Sequence, residues 1–261
     1  MSFLTVEQIH HVYFTTLQAT TALEDVSLSI EEGEFVSFLG PSGCGKTTLL
    51  SIIAGLLKPT FGVTKLDADP DYVEKKQDIG YMLQQDYLFP WKTIRENILL
   101  GLKLQKKQQI ELELRALKLL NEIGLTNVES LYPNQLSGGM RQRVALVRTL
   151  ATNPKILLLD EPFSALDYVT KLKLENLVFA TLKNFNKTAI LVTHDIGEAI
   201  AMSDRIFMFS AKPGRLYQTF IVPEELKTLA PFEARNHSLY SSLFQTIWKE
   251  FEGIEEHATK Y

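Results

Sequence analysis

Cysteine occurs once, at Cys44, so no internal disulfide can form and the fold must rest on its own packed core. Basic charge is not in excess. The 27 Lys and Arg face 31 Asp and Glu, and the net charge of −4 excludes a global positive field that would recruit nucleic acid or anionic lipid. No apolar run reaches the roughly 18 residues of a membrane span. The opening stretch MSFLTVEQIHH carries an acid and two histidines where a secretory signal would need basic and then apolar residues. Long repeats and low-complexity tracts are also missing. A reducing compartment is expected, and any membrane role must come through a partner. The 261 residues, 45% hydrophobic, suffice for one or two domains with a sizeable core.

Strand-like and helix-like segments alternate, which predicts an α/β architecture. ALEDVSLSI, the turn EEGE and FVSFLG read as two strands around a turn, and KTTLLSIIAGLL as a helix. From about 85 to 152 the character changes to TIRENILLGL, then KKQQIELELRALKLLNEIG, then a helix after Ser137. Leu112, Leu114, Ala116, Leu117, Leu119, Leu120 and Ile123 give the second of these a broad apolar face. This stretch is expected to be a helical subdomain inserted into the α/β core. KILLLDEP, TAILVTHD and RIFMFS read as strands and DIGEAIAMS as a helix. After a main domain spanning 1–229, the tail 230–261 places Leu239, Leu243, Ile247, Trp248 and Phe251 at helical spacing.

GPSGCGKT at 40–47 matches the phosphate-binding pattern G-x-x-x-x-G-K-[ST]. Gly40, Pro41, Ser42, Gly43, Cys44 and Gly45 form a loop whose N–H groups can curl inward on phosphate oxygens. Lys46 brings a cation to the β and γ phosphates of ATP, Thr47 a hydroxyl to Mg²⁺, and Thr48 opens the helix beside them. Context supports nucleotide binding over a chance glycine-rich turn, because the loop follows an apolar strand and precedes a helix. Cys44 reads as a small residue serving the loop rather than as a redox switch. ILLLDEP ends an apolar strand in two carboxylates, and ligands of open α/β sheets sit at such ends. Asp160 is expected on Mg²⁺ through its water shell, and Glu161 on the attacking water. The competing reading is a solvated acidic strand end. His194 ends another strand and could reach the γ-phosphate, or serve as a structural hydrogen-bonder. Gln84 follows a strand-like run and could touch Mg²⁺ or the water, although Gln85 is equally available.

In this order, GPSGCGKT, Gln84, LSGGM, ILLLDEP, SALD and His194 resemble the ATP-binding subunit of ABC (ATP-binding cassette) transporters over nearly the whole chain. The resemblance implies a P-loop NTPase core of ABC type with an antiparallel β subdomain and an inserted helical subdomain. It implies that LSGG at 136–139 is the signature, in which Ser137, Gly138 and Gly139 cap the γ-phosphate of an ATP held by a second copy. Ser137 is a preferred N-cap, and the glycines let phosphate approach the positive end of the following helix. The competing reading is a plain helix cap. The resemblance also implies that Tyr13 stacks on adenine, with Phe14 adjacent, and that Asp167 lies in the loop linking the two sites of a head-to-tail dimer.

LFPWKTIRENI, PFSALDYVTK, THDIGEAIAMSDRI and PGR are similar to importers of the nitrate, sulfonate, taurine and pyrimidine-precursor type. Ser164 and Lys171 depart from the glycine and arginine common there. The resemblance thus implies an ATPase on the cytoplasmic face of the membrane, partnered by permease subunits and indirectly by a solute-binding protein, with no nucleic acid. Phe89, Pro90 and Trp91 would either receive a helix of the permease or pack within the helical subdomain. The alternatives are a soluble ABC ATPase of DNA repair or translation, an ATP-binding adaptor and an exporter. The interval from Lys46 to Ser137 is too short for the long coiled coil of repair ATPases.

Overall fold

A computed structural model describes residues 2–16, 18–67, 78–106, 110–164, 166–210 and 212–258. Residues 107–109, near the start of the expected KKQQIELELRALKLLNEIG helix, and Ala165 of SALD lie outside the described residues. The chain divides into two compact units, one of 1–76 with 179–261 and one of 77–178.

The first unit holds an antiparallel sheet and a mostly parallel one. In the antiparallel sheet β1 (Leu4–Phe14) lies between β2 (Ala19–Ile30) and β4 (Phe61–Leu66). Its strands bury alternate residues, with Leu4, Val6, Ile9 and His11 of β1 inside, so the polar residues between them hide the strand from a hydrophobicity scan. Register shifts around Gln8, which has φ 48°, break the period further. In the second sheet the order is β7 (Thr188–Thr193), β3 (Phe35–Leu39), β8 (Arg205–Phe209) and β9 (Leu216–Ile221). Strands β3, β7 and β8 run parallel, β3 and β7 are buried throughout, and β9 is antiparallel to β8. The turn EEGE is present, with the Glu34 N–H donating to the Glu31 carbonyl at 3.3 Å. It carries the chain from one sheet to the other, because β2 pairs with β1 while β3 pairs with β7 and β8.

Helix α1 (Lys46–Ile53) follows β3, and α6 (Ile196–Met202) follows β7. Short helices α7 (Glu224–Lys227) and α8 (Pro231–Ala234) lead into α9 (Ser238–Ala258). Ile247, Phe251 and Ile254 of α9 join a core with Ile200, Met208 and Phe220. The helical face read from the tail is offset. Trp248 is half exposed and stacks on Phe244, which stacks on Tyr240.

The second unit pairs β5 (Ile79–Met82) with β6 (Ile156–Asp160) in parallel. Helices α2 (Ile94–Leu104), α3 (Ile110–Glu122) and α4 (Gly138–Ala151) pack together, and α5 (Tyr168–Asn184) starts here. The buried stripe of α3 is narrower than its composition suggests. Ala116, Leu119 and Leu120 are buried, while Leu114 is exposed. A capping box starts α2, since Thr93 accepts from the Glu96 N–H at 3.2 Å and Glu96 accepts from the Thr93 N–H at 2.8 Å. Fully buried Asn97 pins the preceding loop. Its Oδ1 accepts from the Phe89 N–H at 2.7 Å, and its Nδ2 donates to the carbonyls of Phe89, Lys92 and Thr93. Among the described residues no helix is long and apolar enough to cross a membrane.

Asn97→Ala removes this network and leaves the Phe89 N–H without its partner. The expected loss is about 2–3 kcal/mol, read as a lower urea midpoint at unchanged m-value. A loss under about 0.5 kcal/mol would show that the loop is held by other contacts.

Candidate nucleotide-binding site

In the first unit the chain leaves β3 at Leu39 and curls before α1. Gly43 and Gly45 adopt φ 78° and 89°, a left-handed backbone that side chains rarely tolerate. Cys44 and Lys46 turn inward and are buried, whereas Ser42, Gly43 and Thr47 are exposed. The Lys46 ammonium donates to the carbonyls of Gly40 at 2.7 Å and Pro41 at 2.9 Å. These partners are neutral, so its charge is satisfied by hydrogen bonds without being cancelled. Helix α1 starts directly at the loop, and the N–H groups of a helix's first turn, which the helix itself cannot satisfy, give the exposed face an anion-binding character.

Tyr13 lies at the end of β1 with its hydroxyl 3.2 Å from Thr48 Oγ1. The ring of buried His11 meets Tyr13 edge-on at 4.6 Å. Phe14 points into solvent, so Tyr13 is the aromatic residue set beside the start of α1. His194 is exposed at the end of β7. Its neighbours fix the backbone there, as Thr193 Oγ1 accepts from the Asp195 N–H at 3.0 Å and Asp195 caps α6 through the Glu198 N–H at 3.1 Å.

In the second unit β6 ends at Asp160, which is 6% exposed and accepts from the Tyr81 hydroxyl at 3.3 Å. Glu161 follows with φ 45°, a left-handed conformation that costs a non-glycine residue of order 1–3 kcal/mol and concentrates at functional sites. Ser164, noted as a departure from glycine, makes a bridge that glycine cannot. Its Oγ accepts from Gln84 Nε2 and donates to the Glu161 carbonyl, both at 3.0 Å. Gln84 rather than Gln85 is thereby tied to Glu161. Buried Gln142 adds a second hold by donating to the Gln84 carbonyl at 3.0 Å. Neither link was legible in the sequence, because each joins residues 58 to 80 positions apart.

Ser137 caps α4, its Oγ accepting from the Met140 N–H at 3.3 Å. The cluster RQR does not face the helix mouth as a set of free cations. Arg141 bonds Asp86 at 2.9 Å and the Leu136 carbonyl at 2.8 Å, and Arg143 bonds the Ile123 carbonyl. Farther along α4, Arg148 donates to the carbonyls of Asp86 and Tyr87. Between the 84–87 stretch and the start of α4 lies a cavity of about 360 Å³ bordered by Gln84, Gly138, Arg141 and Gln142. The two glycines differ. A Cβ on Gly139 would sit 2.8 Å from Thr170 Cγ2, so a side chain there would have to displace Thr170 of α5. A Cβ on Gly138 would meet nothing nearer than 3.9 Å. Asp167 caps α5 by accepting from the Thr170 N–H at 3.1 Å, and the Thr170 hydroxyl, followed by that N–H, lowers its carboxyl pKa.

A glycine-bent loop before a helix, on a mostly parallel sheet joined to an antiparallel one, defines a P-loop nucleotide-binding α/β protein. The added helical unit with a capped Ser-Gly-Gly start marks the ATP-binding-cassette class. Residues 23–164 match the family described as ABC transporter. The chain is 60% identical over 257 residues to the uncharacterized ABC transporter ATP-binding protein YtlC of Bacillus subtilis (strain 168), covering 98% of both chains. It is 46% identical over 191 residues to the aliphatic sulfonates import ATP-binding protein SsuB 1 of Rhodococcus jostii (strain RHA1), covering 73% of this chain and 74% of that one. The dimeric post-hydrolysis state of the ATP-binding cassette MJ0796, bound to ADP and Pi, superposes with a TM-score of 0.74 at 38% identity, covering 84% of this chain and 99% of that one. The chain belongs to the ABC transporter ATP-binding family and is an ATPase.

Burial pushes the Cys44 thiol pKa up, against the weaker opposing pull of Lys46. The thiolate fraction in the folded protein is therefore below that of a free cysteine, and it rises only as pH is raised. Iodoacetamide at about pH 8 should label Cys44 slowly in the native chain and rapidly in guanidinium. Equal labelling rates would restore a reactive, switch-like cysteine.

Proposed function

We propose that this chain is the ATP-hydrolysing subunit of an importer, driving uptake of a small solute of the sulfonate, taurine, nitrate or pyrimidine-precursor type through a separate permease. A relative named for aliphatic sulfonate import supports that class. The working form is a head-to-tail dimer on the cytoplasmic face of the membrane, fed indirectly by a solute-binding protein. The observation that carries the dimer is Gly138, an exposed glycine at a helix N-terminus whose missing side chain the surrounding described residues do not require.

The loop N–H groups and Lys46 hold the ATP phosphates, and Tyr13 stacks on the adenine. Thr47, Gln84 and Asp160 offer a hydroxyl, an amide oxygen and a carboxylate, the hard oxygen donors that suit Mg²⁺. Gln84 uses its amide N–H on Ser164, which leaves the amide oxygen for the cation. When bound, Mg²⁺ would neutralise developing charge on the phosphate oxygens. Glu161 orients the attacking water and takes its proton, while His194 hydrogen-bonds the γ-phosphate. In the dimer, Ser137 and the N–H groups of Gly138 and Gly139 close on the γ-phosphate bound to the other copy, and Asp167 lies along the junction. Loss of that phosphate on hydrolysis removes the shared anion and loosens the pair.

Glu161→Gln keeps the shape and removes the base. It should bind ATP, sediment as a dimer and hydrolyse at least about 100-fold more slowly than the parent. Parental turnover would exclude Glu161 as the base, and parental turnover in Ser137→Arg would exclude the shared site.

Trp91 is 69% exposed, edge-on to Phe89 at 5.5 Å, on the loop that Asn97 holds rigid. A rigid exposed aromatic fits an anchor for a permease helix. Trp91→Ala should lose permease co-purification while keeping ATP binding and thermal stability, and retained co-purification would place the contact elsewhere.

A further inference from the structure

The end of β8 and residues 212–215 before β9 play no part in the chemistry described above, yet they approach the phosphate loop closely at three places. A Cβ on Gly40 would lie 3.0 Å from the Phe209 carbonyl, where the turn begins. A Cβ on Gly43 would lie 3.6 Å from Lys212 Cε. A Cβ on Gly214 would lie 1.9 Å from the Cys44 carbonyl oxygen, a separation no side chain can adopt. Gly214 also joins β2 through its backbone. Its N–H donates to the Ala22 carbonyl at 2.9 Å, and its carbonyl accepts from the Glu24 N–H at 3.0 Å. The third party to this junction is Gly45, whose Cβ would lie 2.8 Å from the same Ala22 carbonyl. Two side chains latch the turn from outside, as Arg215 pairs with Glu24 at 2.7 Å. Within the turn, the Ser210 N–H donates to the Arg215 carbonyl at 2.9 Å and the Arg215 N–H to Ser210 Oγ at 3.2 Å.

We propose that this turn is a strap fixing the phosphate loop against the β1–β2 hairpin that carries Tyr13, with Gly214 as the positioning residue. The inference rests on the nucleotide-site reading given above. ATP spans from base to phosphate, so its affinity depends on the separation between Tyr13 and the loop. Strand β2 carries that separation, because Thr20 pairs with Tyr13 while Ala22 to Glu24 bond Gly214. Any side chain at Gly214 must push the Cys44 carbonyl away from β2 or lift the turn off both. Glu161, the group proposed to act on the attacking water, lies on another segment. The strap should therefore govern nucleotide binding more than the chemical step.

The test measures mant-ATP binding by fluorescence and steady-state ATP hydrolysis on the full chain. Gly214→Ala should raise the mant-ATP Kd and the KM for ATP about tenfold or more, with kcat within about threefold of the parent. Arg215→Ala and Glu24→Ala should each raise Kd about two- to fivefold, and the exchange Glu24→Arg with Arg215→Glu should recover most of that. A merely structural role predicts lower thermal stability with parental Kd and KM, and that result overturns the proposal. If Gly214→Ala does not fold, unchanged Kd in the two latch variants overturns it equally. A parent chain that binds no mant-ATP would instead overturn the nucleotide-site reading, and the strap with it.

Discussion

Backbone must approach backbone at the phosphate loop with no side chain between, and the first unit is arranged around that requirement. The loop can aim N–H groups at an anion only by curling through left-handed conformations at Gly43 and Gly45. Curled in this way, it presents carbonyls on its outer side that must be covered. Lys46 covers those of Gly40 and Pro41. The Cys44 carbonyl is met by Gly214, and the Ala22 carbonyl beside Gly45 is bonded by the Gly214 N–H. The close approaches of Ala22 on β2 and of Gly214 to the loop both depend on the small space that these glycines leave.

Charge is handled by the same economy. A net charge of −4 is compatible with phosphate binding because the attraction is local, made of oriented amides and one buried ammonium. The ammonium rests on neutral carbonyls, so a phosphate can engage it without first breaking an ion pair. The basic residues after the signature serve a different end. Arg141 and Arg148 grip Asp86 and the backbone of 86–87, and Gln142 grips the backbone of Gln84. They make the 84–87 stretch a fixed attachment of α4 rather than a free loop. Gln84 is therefore positioned from its backbone by one residue and from its side chain by Ser164.

What the sequence made legible follows from where the information lies. Strands β3, β6, β7 and β8 are short apolar runs because they are buried on both faces, and that survives in a linear reading. Strand β1 is half solvated and further broken by bulges, and β9 buries only Phe220, so no apolar run marks either. The phosphate-loop pattern and the Asp160–Glu161 pair each stand in adjacent residues, so both could be picked out as candidates directly from the sequence. Ser164 was visible only as a departure from glycine, since its meaning is a pair of hydrogen bonds to Gln84 and Glu161. Gly214 was one letter of PGR, since its partner Cys44 lies 170 positions away and no periodicity connects them.

The signature glycines show how a structure separates causes that a motif merges. Read as a pair, Gly138 and Gly139 invite a single explanation, either a helix cap or an anion site. The packing divides them. A side chain on Gly139 would displace Thr170 of α5, so its lack of a side chain has a reason in internal fit. Gly138 has room for a methyl group and stands exposed at the start of α4, beside the Ser137 cap. Glycine there has a backbone-entropy cost of about 1 kcal/mol relative to alanine, with no internal packing to offset it. A group from outside the chain that must come within contact of the helix N-terminus supplies the missing reason. That end of the helix attracts anions. A phosphate shared between two copies, as proposed, would therefore account for Gly138, while Gly139 is explained by its packing against Thr170.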